Sequence, residues 1–265
     1  MNDRLVAALI PAFQAEPWIA GVVERTRAQL ATVLVVDDGS LDATGQRAAL
    51  AGAEVRRHSM NSGKGAALRT GFRELLERGV DAVVTLDADG QHVPEQIPRL
   101  LGAWRSGADL VLGSRARQFR EMAPLRRTSN RLSSRAISFA AGVCFDDVQT
   151  GFRLYSRELL ERVPIRGDRF DAESGVVVAA ARAGFRLVDV PIELARADGR
   201  ATSHYRPVVD SLRIAVTVIR ARLSARRLDA PLAPRPDVGH EASCETAREA
   251  RETAREACET AREAR

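Results

Sequence analysis

Short apolar runs rich in β-branched residues alternate with segments of helical periodicity between residues 5 and 112 of this chain. Neighbouring parallel strands need a helical crossover between them, so this alternation favours a parallel sheet over hairpins. We therefore expect an α/β fold with a Rossmann-like, mostly parallel sheet and helices on both faces. The predicted strands are Leu5–Ile10, Thr32–Val36, Ala53–Arg57, Asp81–Leu86 and Asp109–Leu112, and the predicted helices lie near 17–30, 42–50, 63–78 and 94–105.

The regular alternation ends after Gly113. Residues 115–135 contain seven arginines and one glutamate and predict a basic loop. A turn at Gly151, a helix over 171–183, a strand over 185–190 and a helical stretch over 207–228 follow. We expect one domain over residues 1–228, a Pro-rich linker over 229–243, and a heptad-repeat tail of Ala, Glu and Arg over 244–265, either helical or disordered.

Composition narrows the function classes. The net charge is +5, and Lys64 is the only lysine. A basic chain suits phosphorylated ligands, anionic membranes or nucleic acid, but 5% aromatic content and the lack of a recognition motif argue against nucleic acid. The three cysteines show no metal-binding spacing, and no run of 18 apolar residues occurs. We therefore expect a cytoplasmic protein.

The strongest chemical signal is a pair of carboxylates at the end of the fourth predicted strand. Asp87-Ala88-Asp89 directly follows an apolar run and precedes a glycine. Ligands of open α/β sheets bind beyond the carboxyl ends of strands, where two acids repel each other unless a cation lies near. A divalent metal bound by carboxylates and phosphate oxygens meets both conditions. An Asp-rich turn is the alternative interpretation.

Two other segments carry polar residues at the same edge. The second predicted strand ends in Asp37-Asp38, and we expect Asp38 to contact a ligand and Asp42 to cap the next helix. Asn61-Ser62-Gly63-Lys64-Gly65 lacks the upstream glycine of a Walker loop, which excludes a P-loop ATPase. Its glycines either offer backbone N–H groups to an anion or allow close packing.

Taken together, these motifs and their order resemble the family 2 inverting glycosyltransferases of GT-A fold, most closely the dolichol-phosphate and polyprenol-phosphate mannose synthase branch. The resemblance covers roughly residues 5–225. The motifs that carry it are Pro11-Ala12-Phe13, Val36-Asp37-Asp38-Gly39-Ser40, Asn61–Gly65, Asp87–Gln91, Gly113-Ser114-Arg115, Asp147–Tyr155, Phe170–Glu173 and Val190-Pro191-Ile192.

The resemblance implies a nucleotide-sugar donor site with Mg²⁺ or Mn²⁺. Asp87, Asp89 and Gln91 are the implied metal ligands. The implied donor-binding residues are Pro11, Phe13, Val36, Asp38, Lys64, Asp87, Ala88 and Arg115. The implied acceptor and phosphate ligands are Gln149, Arg153 and Arg196, with Arg200, His204 or Arg206 in place of the lysine that the family usually has.

The implied reaction is metal-assisted displacement of a nucleoside diphosphate, with Asp89 holding the metal. The expected acceptor is a polyprenyl phosphate, whose oxygen is already ionised and needs no strong base. A hydroxyl acceptor in envelope polysaccharide synthesis is the alternative, and would need Asp147 or Glu173 as a base. Glu173 is also explicable as a first-turn helix acid. His92 follows the Asp87–Gln91 motif and would be near the donor, but we expect it to be a surface histidine.

Membrane contact follows from the expected acceptor. With no spanning helix in the sequence, we expect peripheral contact with the anionic inner face of a membrane, or a membrane partner. A non-catalytic sugar-nucleotide-binding module is the remaining alternative. A nucleotidyltransferase is disfavoured because Pro11-Ala12-Phe13 replaces the glycine-rich loop expected after its first strand.

Overall fold

Seven strands form one sheet in the computed structural model. The structure describes residues 4–116, 118, 134, 137–143, 145–167 and 171–195. The strands are β1 (Val6–Ala12), β2 (Thr32–Asp37), β3 (Glu54–Arg57), β4 (Ala82–Thr85), β5 (Leu110–Ser114), β6 (Arg153–Ser156) and β7 (Leu187–Pro191). The expected boundaries at 228 and 243, the helical stretch 207–228 and the heptad tail lie outside the described residues.

The sheet has the order β3-β2-β1-β4-β6-β5-β7. All neighbours are parallel except β6, which runs antiparallel to both β4 and β5. The prediction of a mostly parallel sheet is therefore confirmed, whereas β6 was expected only as residues following a turn. Because β6 is reversed, its first residues lie at the same edge as the carboxyl ends of β1, β2, β4 and β5.

Five of the predicted helices are present with shorter boundaries: α1 (Ile19–Arg27), α2 (Thr44–Leu50), α3 (Lys64–Glu77), α4 (Ile97–Arg105) and α6 (Asp171–Arg182). A further helix, α5 (Arg157–Arg162), was not predicted. Pro94 starts a single 3₁₀ turn rather than α4 itself, and Pro98 lies in the first turn of α4. Asp42 accepts the Thr44 N–H in the first turn of α2, as expected of a capping acid, although the N-cap position belongs to Ala43.

Alternate side chains of β1 point to opposite faces of the sheet and are buried on both. Ala8 and Ile10 pack in a cluster with residues of α1 and α4, whereas Leu9 points to α3, where Gly71 meets it. All three are fully buried. Helices therefore cover both faces, as expected for a parallel sheet.

No helix among the described residues is long and apolar enough to cross a bilayer.

The contact of α3 with β1 depends on a missing side chain. A Cβ built on Gly71 would press into both methyl groups of Leu9, with Cδ2 at 2.7 Å. We expect Gly71→Ala to destabilise the fold by about 1–3 kcal/mol through overpacking. Chemical denaturation measures this change.

Gly102 is the matched control, because it also lies inside a helix but has no atom within 4 Å of a built Cβ. Gly102→Ala should stabilise the fold by roughly 0.5–1 kcal/mol, since alanine is the better helix former. Equal effects of the two substitutions would contradict this account of the packing between α3 and β1.

Candidate functional site

The centre of the site is a lysine that joins three elements. Lys64 begins α3, and its Nζ lies 2.5 Å from Asp87 Oδ1, just beyond β4, and 2.9 Å from Glu173 Oε2 on α6. Burial alone lowers the pKa of Lys64, but the two carboxylates outweigh it and raise the pKa above its ordinary value. The lysine is therefore charged, and it holds both acids at the carboxyl edge of the sheet.

Space for Asp87 comes from a glycine that lies two residues before the neighbouring strand β6. A Cβ on Gly151 would lie no more than 2.6 Å from the carboxylate carbon and both oxygens of Asp87. Thr85 Oγ1 fixes this glycine by donating to its carbonyl oxygen at 2.9 Å. Gly151, expected only as a turn, therefore makes room for the first acid of the Asp-x-Asp pair.

The two acids of the pair differ in charge state. Despite its burial, Asp87 has a pKa well below its ordinary value, because Lys64 lies against it. Burial, followed by repulsion from Asp87, raises the pKa of Asp89 to about 6. Asp89 is partly exposed and accepts the Gln91 N–H at 3.0 Å. Asp89 is therefore the carboxylate that gains most from a nearby cation.

This donor set fits a divalent metal that completes its shell with ligand oxygens. The described residues contain no group of three or more His, Cys, Asp or Glu side chains able to hold a metal alone. Mg²⁺ characteristically uses one or two carboxylates together with substrate phosphates and water. Asp89 with Gln91 beside it matches that pattern, while Oδ1 of Asp87 is taken by Lys64.

Asp38 organises the loop that precedes Lys64. Its Oδ1 accepts the Ser62 N–H at 3.0 Å and lies 2.7 Å from His58 Nδ1, and its Oδ2 accepts the Gly63 N–H at 2.7 Å. Gly63 has φ +96°, a conformation that favours glycine. Glycine here serves the loop turn, and the expected base or ribose contact of Asp38 stays a prediction.

The other expected donor residues lie at the same edge. Pro11, Val36 and Ala88 are buried, whereas Phe13 is 36% exposed. Gln14, next to Phe13, has φ +50° and donates its N–H to Ser40 Oγ at 3.0 Å. The structure thus places the ends of β1 and β2 side by side, with the exposed Phe13 ring directly after β1. The nucleotide contacts of these residues stay predictions.

Arg115 and Asp147 form a buried, bidentate pair. Arg115 Nε and one terminal nitrogen donate to the two oxygens of Asp147 at 2.6 and 3.0 Å, and the Arg115 backbone N–H adds a third bond. Burial opposes ionisation of Asp147, but Arg115 holds its pKa below the ordinary value. Asp147 is therefore a poor base, and the Arg115 guanidinium, expected to bind the donor, instead binds Asp147.

Arg153 supports the backbone instead of reaching an acceptor. It is 1% exposed, and its side chain donates to the carbonyl oxygens of Thr150, Glu173 and Val148 at 2.7–2.8 Å. We therefore reassign Arg153 from acceptor binding to the support of the site, because its donors are spent on buried carbonyls. Gln149 is partly exposed, with its N–H on Asp147 Oδ1.

His92 is the clearest correction to the sequence interpretation. Expected at the surface, it is 3% exposed and stacks on Phe152, with ring centroids 5.4 Å apart. Its place three residues after Asp89 was the available signal, but sequence does not reveal which way a loop side chain turns. Arg196, Arg200 and His204 lie outside the described residues.

The architecture matches solved glycosyltransferases. Glucosyl-3-phosphoglycerate synthase from Mycobacterium tuberculosis, in complex with Mn²⁺, UDP-glucose and phosphoglyceric acid, has a TM-score of 0.62 at 23% identity, covering 89% of this chain and 82% of that one. Its complex with Mg²⁺ and UDP gives 0.58 at 24%, with the same shares covered. The fold is therefore GT-A, the architecture of nucleotide-sugar-dependent glycosyltransferases.

Residues 7–163 match the family model described as glycosyl transferase family 2. A polyprenol monophosphomannose synthase from Mycolicibacterium smegmatis is 37% identical over 66% of this chain and 71% of its own length. An undecaprenyl-phosphate mannosyltransferase from Micrococcus luteus is 40% identical over 60% and 70%. The chain belongs to glycosyltransferase family 2.

The close approach of Gly151 to Asp87 predicts a specific loss of activity. Gly151→Ala should push Asp87 off Lys64 and lower kcat/KM for sugar transfer by about 10²-fold, the scale of an ångström-sized misplacement. Gly21→Ala is the control, since nothing lies within 4 Å of its built Cβ. Unchanged kcat/KM in a folded Gly151→Ala protein would refute the steric role.

Asp189 on β7 supports the loop before Asp147 and predicts a pH dependence of stability. Its Oδ2 accepts the Asp146 N–H at 2.8 Å, and its buried Oδ1 has no partner among the described residues. Burial raises the pKa of Asp189 to about 7. Between about pH 4 and 7 the folded state keeps a proton that the unfolded chain releases, so the free energy of unfolding falls as pH rises.

Asp189→Asn should remove that slope, so the variant gains stability relative to wild type between about pH 5 and 7.5. Denaturation at both pH values tests this expectation. Glu54→Gln is the control, because a hydrogen bond from Arg78 lowers the pKa of Glu54 and its contribution is constant across that range. Parallel stability profiles for wild type and Asp189→Asn would disprove the assignment.

Proposed function

We propose that this glycosyltransferase moves a sugar from a nucleotide-sugar donor to a polyprenyl phosphate, with inversion at the anomeric carbon. The observation that carries the donor half is the charge arrangement at the carboxyl edge of the sheet. Asp87 is neutralised by Lys64, while Asp89 beside it has a pKa raised to about 6. Such a site takes up a cation together with an anionic ligand.

The same residues account for donor binding. A divalent metal, when bound, supplies positive charge to the departing diphosphate. Asp89 and Gln91 would hold that metal, and Lys64 would keep Asp87 and Glu173 in place. Phe13 and the loop organised by Asp38 would border the nucleotide. Mg²⁺ and Mn²⁺ both suit oxygen ligands of this kind.

The acceptor is inferred from the engagement of the two candidate bases. Asp147 gives both oxygens to Arg115, whereas Glu173 gives Oε2 to the Lys64 ammonium at 2.9 Å and its Oε1 is buried without a partner among the described residues. Asp147 is therefore not arranged to take a proton from a hydroxyl, whereas a phosphate monoester oxygen is ionised near neutral pH and needs no base. The polyprenyl-phosphate and undecaprenyl-phosphate substrates in the names of the two relatives agree with this choice.

A lipid acceptor places the reaction at a membrane surface. We propose that the protein works at the cytoplasmic face, by peripheral contact with anionic lipid or through a membrane partner. The six arginines of residues 117–135 and a net charge of +5 support attraction to such a surface. Phe139, at 76% exposure, is an apolar side chain close to that segment in the chain.

The donor half is tested by removing the proposed metal ligand. Asp89→Asn should lower metal-dependent transfer from a labelled nucleotide sugar to undecaprenyl phosphate by about 10²-fold or more, because charge on the departing diphosphate is then poorly balanced. The assay compares Mg²⁺ and Mn²⁺ across UDP- and GDP-sugars. A free glycan acceptor run in parallel separates phosphate from hydroxyl acceptors.

Glu95→Gln is the matched control, since it removes a nearby acid whose only described ion pair, with Arg25, is exposed. It should retain wild-type transfer, as exposed pairs contribute little. Equal activity of Asp89→Asn and wild type would defeat the metal assignment. Transfer to the glycan alone would defeat the acceptor assignment and leave the donor half standing.

A further inference from the structure

His92 lies directly behind the first acid of the donor site. Its ring is 3% exposed and stacks on Phe152, with 27° between the two ring planes. Backbone contacts also hold this part of the loop, because His92 forms a β-bridge with Leu194 and the Gln91 carbonyl accepts the Ala195 N–H. The imidazole is therefore held by packing on its face and by pairing of its backbone.

Hydrogen bonding defines which ring nitrogen carries the proton. The backbone N–H of Asp87 donates to His92 Nδ1 at 3.1 Å. A nitrogen that accepts an N–H must offer its lone pair, so the proton of the neutral ring is on Nε2. Burial lowers the pKa of His92 to about 4, which agrees with a neutral ring.

The protonated nitrogen faces the carboxylate of the same residue. His92 Nε2 lies 3.8 Å from Asp87 Oδ2, while Lys64 contacts Oδ1 on the other side. His92 Nδ1 thus holds Asp87 through its backbone N–H, and the N–H of His92 Nε2 faces the carboxylate oxygen Oδ2 of Asp87. Gly151 limits movement from a third direction.

We propose that His92 is a positioning residue for donor binding: its Nδ1 accepts the Asp87 N–H, and this bond sets where the Asp87 carboxylate stands relative to Asp89. The inference deepens the proposed function and rests on it. His92 contacts neither the donor nor the acceptor in this account. It acts only through Asp87.

Three substitutions separate the hydrogen bond from the shape of the ring. His92→Asn keeps an acceptor near the place of Nδ1 but loses the ring. His92→Phe keeps the stacked ring but leaves the partly buried Asp87 N–H without a partner. His92→Gln keeps a donor near the place of Nε2 but has no acceptor at the place of Nδ1.

The expected order of nucleotide affinities follows from the cost of leaving the partly buried Asp87 N–H unpaired, which corresponds to roughly a tenfold loss of affinity or more. His92→Asn should bind a nucleoside diphosphate with Mn²⁺ within about threefold of wild type by calorimetry. His92→Phe and His92→Gln should bind at least about tenfold more weakly. In transfer assays the KM of the donor should rise in the same order, with the KM of the acceptor unchanged.

Trp104→Phe controls for general loss of packing, because Trp104 is a buried aromatic at the far end of α4. It should lower stability without changing nucleotide affinity. Retained affinity in His92→Phe with loss in His92→Asn would mean that the ring only fills space, and would overturn the proposal. Retention in His92→Gln alone would overturn it too, by assigning the effect to Nε2.

Failure of the underlying function looks different. Wild-type protein would then bind no nucleoside diphosphate in the presence of Mn²⁺, and the variants would have nothing to lose. If wild type and the three His92 variants all bind the nucleotide with the same affinity, the role of His92 is rejected. The donor-site proposal would still stand.

Discussion

The site depends on one buried ammonium group. Lys64, the only lysine in the chain, brings together the start of α3, the end of β4 and the first turn of α6 by pairing with Asp87 and Glu173. Burying charge is costly, and it is tolerated when partners and hydrogen bonds compensate. Removing the lysine would leave two facing carboxylates, so the three elements are linked by charge as well as by packing. Arginine, with its larger planar group, would not substitute in this confined position.

That arrangement separates the roles of two acids only two residues apart. Lys64 neutralises Asp87, which leaves the pKa of Asp89 raised by burial and by its charged neighbour. Two identical groups thereby differ in their surroundings: Asp87 is paired with Lys64 within the protein, and Asp89 is the one proposed to bind the metal. The asymmetry comes from the fold, because it requires α3 to begin opposite the end of β4.

Much of this could be predicted from sequence, and the failures share a cause. The strand ends at Asp38 and Asp87, the parallel core and the helix 171–183 follow from local periodicity, which depends on near neighbours in the chain. The antiparallel insertion of β6 does not, since it is decided by pairing with β4 and β5, each about 40 or more residues away. Periodicity also does not report the contacts of Gly151 and His92 with Asp87: Gly151 meets it from a distant part of the chain, and His92, only five residues away, meets it because its loop side chain turns inward.

The arginines show most plainly why residue type alone does not identify the residues that bind phosphate. Arg153 and Arg115 both occur in motifs that suggested phosphate contact. In the structure, Arg153 donates hydrogen bonds to three backbone carbonyl oxygens, and Arg115 donates to the Asp147 carboxylate. Guanidinium groups suit both tasks, because a fork of fixed donors matches carbonyls and carboxylates as well as phosphates. Arg153 binds the backbone of the loop 145–153 through the carbonyl oxygens of Val148 and Thr150, and Arg115 binds the Asp147 carboxylate, which leaves Asp147 a poor base. The pairing of Arg115 with Asp147 therefore removes one candidate base, which supports the proposed acceptor, a phosphate whose oxygen is already ionised.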